Sequence, residues 1–189
     1  MTPRQEAAAR TRATLLESGL RLAQVVGLSA LSISRIVEEA GVSKGAFFHH
    51  FPDRSSYLLA LHREFHDRIR DEALKSLEGE TPGAARLLKA TRNYLDTCLR
   101  EYGVRSLLLE ARADPATAAE VRLRNSQTAE LCAPDFSVLG WDHPYAAAQL
   151  WVGMAAEAAL LEFDAGEKLA PLRAALARFL DAPAELIGG

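Results

Sequence analysis

A short stretch near the N-terminus combines the residue types that a helix needs to enter a DNA groove. The stretch is VSKGAFFHHFPDR, Val42–Arg54, and Ser43, Lys44, Gly45 and Ala46 make the start of a predicted short helix slender, polar and cationic. The major groove of B-DNA is about 12 Å wide and admits such a helix, and the free N–H groups of a helix N-terminus suit phosphate. These residues therefore predict contact with double-stranded DNA.

Two short predicted helices position this stretch. The first runs over about Leu31–Ala40, with Ser32 at its N-cap and Gly41 just after its end. The second runs over Ser43–His50, and Pro52 ends it. Two short helices that meet at a glycine-containing turn predict a helix-turn-helix at about residues 31–50, in which the second helix lies in the major groove.

The stretch Val42–Arg54 resembles the recognition-helix signature of the TetR family of one-component bacterial regulators, and the resemblance extends over about Thr11–Leu61. It implies an all-α protein of about nine helices. A three-helix DNA-binding domain would occupy residues 1–52, and a helical ligand-binding and dimerisation domain would occupy residues 53–189. The positions that match DNA contacts of the family are Ser32, Ser43, Lys44, Gly45, Ala46, Phe48, His49 and Arg54.

Two of these positions depart from the residues common in the family. Threonine is frequent where this chain has Ala46, and tyrosine where it has Phe48. Ala46 can still meet a thymine methyl group, whereas Phe48 has no hydroxyl to donate to a phosphate. Arg54 stands where a lysine usually reaches a phosphate, and it keeps the charge. The alternative interpretation is that the two helices merely pack together, with Lys44 and His49 as solvated surface.

The rest of the chain also has helical patterning, and no segment has a convincing strand pattern. Ala133–Pro144, with two prolines and Gly140, is predicted to be the longest irregular stretch. The predicted helices cover about residues 3–26, 31–40, 44–50, 53–77, 84–101, 104–113, 115–131, 145–164 and 168–181.

The composition, 49% hydrophobic and 25% charged, is typical of a globular protein. The net charge of −3 argues against a nucleic-acid partner only if the charge is evenly spread. Residues 1–56 contain seven basic and five acidic residues, a net of +2, and the remainder has a net of −5. The chain has no signal-peptide pattern, no apolar run of about 18 residues and only two cysteines, which predicts a cytoplasmic protein without a membrane partner, nucleoid-associated when bound to DNA.

Aromatic, histidine and cysteine residues of the second domain are candidates for a small-molecule site. His62 and His66 lie one helical turn apart, but two ligands do not make a metal site, so no metal or cofactor is predicted. Ordinary core packing is the alternative for each aromatic and cysteine candidate. The candidates are His62, His66, Tyr94, Cys98, Tyr102, Phe136, Trp141, Trp151 and Met154.

The last two predicted helices carry a stripe of small residues and a stripe of bulky ones, which suits a close-packed helix pair. One recognition helix reads little sequence, whereas a two-fold dimer reads two half-sites about 34 Å apart or more. A four-helix dimer interface is therefore predicted, with a core inside one chain as the alternative. The interface residues are Ala148, Val152, Ala155, Ala159, Leu172, Leu176 and Phe179.

These patterns, with the resemblance, predict a homodimeric repressor that binds operator DNA and leaves it when a small-molecule effector binds. The alternatives are an activator with the same DNA-binding head and a helical small-molecule-binding protein. The chain has no GxxxxGK, GxGxxG or Gly-x-Ser-x-Gly motif and no paired metal-ligand motif, so no enzymatic activity is predicted.

Overall fold

A computed structural model describes residues 2–26, 30–101, 109 and 115–180. These residues form eight helices and contain no strand, which confirms the predicted all-α class. The predicted helix at 104–113 lies almost wholly outside the described residues. The helices are α1 (Pro3–Ala23), α2 (Ile33–Ala40), α3 (Lys44–His50), α4 (Arg54–Ser76), α5 (Ala84–Arg100), α6 (Pro115–Val138), α7 (Pro144–Ala165) and α8 (Ala170–Phe179).

Side-chain caps fix where the first helices begin. The Ser32 hydroxyl accepts a hydrogen bond from Arg35 N at the start of α2, and the Ser43 hydroxyl accepts one from Ala46 N at the start of α3. Each cap satisfies a backbone N–H that has no partner within its helix. Gly41 ends α2 in the left-handed region, with φ 64°. The predicted caps and the predicted turn between α2 and α3 are therefore confirmed.

Helix α6 corrects the prediction of an irregular stretch at Ala133–Pro144, because it continues to Val138 with Pro134 inside it. A proline inside a helix costs about 3 kcal/mol. Burial of the next two residues offsets this cost. Phe136 is fully buried, and the Asp135 carboxylate accepts hydrogen bonds from Arg86 Nη2 (2.6 Å) and from Gly83 N (2.8 Å). Tertiary contacts thus keep the helix intact where local propensity favours a break.

The chain forms two compact units. Of the described residues, the N-terminal unit contains those up to Arg68 and those between Glu101 and Glu120, and the C-terminal unit contains Ile69–Arg100 and those from Val121 to Leu180. The predicted domain boundary at residues 52/53 lies between α3 and α4, whereas the first turns of α4 belong to the N-terminal unit.

In the N-terminal unit, α1 and α4 make one very close contact. Tyr57 Oη on α4 donates a hydrogen bond to the Leu15 carbonyl on α1 (2.8 Å), and the ring is fully buried. Burial raises the pKa of Tyr57, so its hydroxyl stays protonated and remains a donor. A Cβ at Gly19 would lie 1.9 Å from Tyr57 Oη, so only glycine leaves room for the tyrosine.

In the C-terminal unit, α5 packs against α7 around a core that contains Trp151 and Phe136. Trp151 Nε1 donates a hydrogen bond to Thr91 Oγ1 (3.1 Å), which joins the two helices inside the core. No helix among the described residues is both long enough and apolar enough to span a membrane.

Candidate DNA-binding surface

The inner face of α3 is apolar and anchors the helix. Phe47 is fully buried, with its ring centroid 5.5 Å from that of Phe51 and 5.1 Å from that of Tyr57. Phe51 is 2% exposed. The two phenylalanines therefore serve as core, and they fix which side of α3 faces outward.

The outer face of α3 presents most of the predicted DNA contacts to solvent. Lys44, Gly45 and His49 are exposed, and Ala46 is half-buried. Phe48 is 49% exposed although it is a large apolar residue, and its ring packs edge-on against Phe47 with the centroids 5.5 Å apart. The exposed face is thus one cation, one imidazole and one aromatic ring around a slender glycine-alanine segment.

Ser32 and Arg54 lie at the ends of helices that are tied to each other. Arg54 Nε, at the start of α4, donates a hydrogen bond to the carbonyl of Leu31, the residue that precedes Ser32 (3.3 Å). Leu31 is 1% exposed, so this contact is anchored in the core. Part of the Arg54 guanidinium is therefore used within the protein, and its contact with phosphate stays a prediction.

The structure adds cationic residues that sequence reasoning left out of the surface. Arg35 is exposed on α2 and its Nη1 donates to the Ala30 carbonyl (3.4 Å). Arg12 on α1 lies over the Phe51 ring, with Cζ 5.3 Å from the centroid. Burial, and then the charges of His49 and Arg12, lower the pKa of His50, which favours its neutral form. The signal that could have found Arg12 is its place on α1, the helix that precedes the helix-turn-helix.

The residues predicted to bind a ligand are divided between the two units. His62 is fully buried on α4 in the N-terminal unit, with its ring centroid 4.3 Å from that of His66, and no third His, Cys, Asp or Glu joins them in a cluster that could hold a metal among the described residues. Tyr102 lies outside the described residues. The remaining candidates, Tyr94, Cys98, Phe136, Trp141, Trp151 and Met154, belong to the packed core of the C-terminal unit.

The packing of these core candidates agrees with the alternative interpretation, ordinary core. Cys98, Phe136 and Trp151 are at most 2% exposed. Trp141 stacks on Phe179 with the ring centroids 5.5 Å apart. Burial raises the pKa of the other cysteine, Cys132, to about 11, so its thiol stays protonated at neutral pH. Ligand binding by this set stays a prediction.

The stripe of small residues predicted for the dimer interface faces the chain's own core. Ala148, Ala155 and Ala159 on α7 are 0%, 7% and 1% exposed, and Leu176 on α8 is 7% exposed. Val152, Leu172 and Phe179 pack against the same core. This burial agrees with the alternative interpretation, a core inside one chain, and a part for these residues in a dimer interface stays a prediction.

A different face of α7 carries apolar residues in solvent. Leu150 is 63% exposed and Leu161 is 42% exposed. Their spacing of three helical turns places them on one side of the helix, with exposed Ala146, Gly153 and Glu157 along the same line.

The family model described as bacterial regulatory proteins, tetR family, matches residues 15–61, which contain α2, α3 and their caps. The HTH-type transcriptional regulator BetI of Escherichia coli O45:K1 is 33% identical over 76 residues, which are 40% of this chain and 39% of that relative. The chain thus matches about two fifths of the length of the curated relatives. These comparisons confirm the resemblance seen in the sequence.

Two solved structures extend the likeness to most of the chain. A transcriptional regulator from Rhodococcus sp. Rha1 has a TM-score of 0.75 at 22% identity, over 90% of this chain and 94% of that one. A tetR-family transcriptional regulator from Streptomyces coelicolor has a TM-score of 0.67 at 22% identity, over 91% and 78% of the two chains. The fold of both units therefore has counterparts in these proteins.

Proposed function

We propose that this chain, whose N-terminal helix-turn-helix belongs to the tetR family of bacterial regulatory proteins, is a transcriptional repressor that leaves its operator when a small molecule binds. The exposed face of α3 carries the proposal. A short helix is held from behind by Phe47 and presents Lys44, Phe48 and His49 outward, at a width that the major groove admits.

Phosphate contacts supply affinity, and contacts with base edges supply specificity. The hydroxyls of Ser32 and Ser43 cap α2 and α3, so they bring two helix N-termini, each with free N–H groups, to the DNA side. Lys44 and Arg54 add positive charge at these ends. The net charge of the whole chain does not oppose this assignment, because the first 56 residues have a net of +2.

Recognition of a complete operator needs a second copy of the chain. Seven residues of α3 span too few base pairs to select one site in a genome, whereas two copies related by a two-fold axis read a near-palindrome. The exposed line of α7 around Leu150 and Leu161 is the surface that we assign to this contact, in place of the buried alanines.

Release by an effector follows from linkage. Helix α4 is continuous, and it begins in the N-terminal unit and ends in the C-terminal unit. A ligand that binds better to a conformation in which the two recognition helices are out of register with successive grooves lowers DNA affinity by its differential affinity for that conformation. The mechanism needs no covalent step.

The test is a salt titration of binding to an operator selected from random duplexes or taken from the promoter beside the gene. Lys44→Ala is expected to weaken binding and to reduce the salt dependence by about one phosphate contact per subunit. The matched control is Lys75→Ala, which removes the same charge from an exposed position near the end of α4. If wild type binds no duplex in preference to others, or if the two variants behave alike, the proposed function is wrong.

A further inference from the structure

A small cleft lies between α5 and α8 inside the C-terminal unit. Its volume is about 110 Å³. Leu88, Leu95, Leu176 and Ala177 form apolar walls, and Thr91, Arg92 and Arg173 supply its polar groups. The residues from α5 are spaced i, i+3, i+4 and i+7, so one face of that helix builds half of the cleft. None of these residues was a ligand candidate from the sequence.

The Thr91 hydroxyl is a hydrogen-bond donor without an acceptor among the described residues. Thr91 is 8% exposed, and its oxygen accepts a hydrogen bond from Trp151 Nε1 (3.1 Å). Its proton is therefore left to donate. In contrast to Thr11 and Thr14, which donate to the carbonyls four residues earlier, Thr91 makes no such bond to its own helix. An acceptor placed in the cleft beside Thr91 would satisfy this donor.

The two arginines of the cleft differ in how they are paired. Arg173 is paired with two carboxylates, with Nε and Nη2 each 2.7 Å from an oxygen of Glu162 and Nη1 2.6 Å from Asp96 Oδ1. The hydrogen bonds that Arg173 donates to Glu162 lower the pKa of Glu162 and raise the pKa of Arg173, so both groups stay charged. Lys168 also pairs with Asp96 (2.9 Å), and these four charges cancel.

Arg92 has no such counter-charge. It is exposed at the cleft, and no acidic side chain of the described residues pairs with it. The cleft therefore carries one uncompensated positive charge next to apolar walls and an unused hydroxyl donor. A carboxylate oxygen accepts from a hydroxyl and from a guanidinium, and such charge-assisted bonds are stronger than neutral ones.

We propose that this cleft binds a small monocarboxylate with a short apolar body, its carboxylate toward Thr91 and Arg92 and its carbon chain among the leucines. A cavity of about 150 Å³ holds benzene, so a cleft of this size accepts an apolar body of roughly six carbons or fewer. The claim that this carboxylate is the effector rests on the proposed regulator function. The claim that the cleft binds a carboxylate does not depend on that function.

Binding is measured by isothermal titration of the DNA-free protein with butanoate and hexanoate, with butanamide and 1-butanol as probes of similar size without the charge. The carboxylates are expected to bind with a Kd in roughly the millimolar range, as suits ligands of so few atoms. The fluorescence of Trp151, whose N–H bonds to Thr91, is expected to change on binding.

Arg92→Gln is expected to weaken carboxylate binding about tenfold and to leave the neutral probes unaffected. Thr91→Ser keeps the hydroxyl and is expected to bind as wild type does. The matched control is Arg122→Gln, which removes an exposed arginine of the same unit outside the cleft. Equal affinity for butanamide and butanoate, no binding of either carboxylate, or equal loss in both arginine variants overturns the proposal.

The effector role is measured separately, as release of operator DNA by butanoate or hexanoate in wild type and in Arg92→Gln. Release from wild type that Arg92→Gln resists supports the role, and carboxylate binding without release overturns it while the regulator assignment stands. If instead Lys44→Ala and Lys75→Ala bind the operator alike, the regulator assignment is overturned and the result on carboxylate binding still stands.

Discussion

Among the residues of α3, Phe48 gives the clearest indication of which DNA base the helix prefers. Phe48 is 49% exposed on the outward face of a short helix, and its ring packs edge-on with that of Phe47. It carries no donor or acceptor, so it cannot read the hydrogen-bonding pattern of a base. The feature of the major groove that it fits is the methyl group of thymine.

We expect Phe48 to select thymine at one position of each half-site. Replacing that thymine by uracil removes only the methyl group, and loss of about 0.8 kcal/mol per buried CH₂-sized group corresponds to about fourfold weaker binding. Phe48→Ala is expected to bind the thymine and uracil duplexes equally. The affinities of wild type and Phe48→Ala for the thymine and uracil duplexes measure how far the preference for thymine depends on Phe48.

The control for Phe48→Ala is Leu74→Ala, which shortens another exposed apolar residue far along the sequence, on α4. It should retain the full preference for thymine. A wild-type protein that binds thymine and uracil operators alike at every position would contradict a methyl contact by Phe48.

Among the helices, the contact of α1 with α4 depends on a missing side chain. Alanine in place of a glycine inside a helix ordinarily stabilises the helix by up to about 1 kcal/mol. At Gly19 the substitution is expected to destabilise the protein instead, because the new Cβ would lie 1.9 Å from Tyr57 Oη and 3.1 Å from Leu61 Cδ1, both in the core. Overpacking of this kind costs about 1–3 kcal/mol or more.

Urea unfolding of Gly19→Ala is therefore expected to give a free energy of unfolding lower than that of wild type by at least about 1 kcal/mol. Gly45→Ala in α3 is the comparison within the same unit. Its Cβ would meet only Ser43 Oγ at 3.6 Å, an ordinary contact, so its stability should be unchanged or higher. Equal stability of Gly19→Ala and wild type would mean that α1 and α4 are not held as close as the Tyr57 hydrogen bond requires.

The helices also show which structural features the sequence can predict. Caps and stop signals are local, so the bounds of α2 and α3 follow from Ser32, Gly41 and Ser43. The course of α6 through Pro134 is not local. It depends on Asp135 meeting Arg86 and Gly83, which lie about 50 positions away in the sequence, and no period or cap signals that contact.

The two candidate sites also differ in whether the sequence predicts them. The outward face of α3 follows from its motif, because Phe47 and Phe51 had to be core for a seven-residue helix to hold its place. The cleft does not follow, since Thr91 and Arg173 come together only when α5 and α8 pack. Small residues on α7 were ambiguous in sequence, because an alanine stripe fits a close internal helix contact and a close contact with a partner equally well.

At the scale of the whole molecule, we propose that the exposed line of α7 around Leu150 and Leu161 forms the contact between two copies of the chain. With Ala148, Ala155 and Ala159 buried within the chain, Leu150 and Leu161 are the large apolar side chains that α7 offers on one outward side. An exposed line of this kind, repeated on a second copy by a two-fold axis, makes a self-complementary contact in which each leucine meets its partner's surface.

Leu150→Glu is therefore expected to convert a dimer into a monomer, because two-fold symmetry places two new carboxylates in the apolar contact and burying unpaired charge is strongly unfavourable. Sedimentation at micromolar concentration measures the mass, and the operator titration should show affinity reduced to that of a single half-site. Leu74→Glu introduces the same charge at an exposed leucine of α4 and should remain dimeric. A wild-type protein that sediments as a monomer would refute the two-copy reader, and a dimeric Leu150→Glu protein would place the contact on another face.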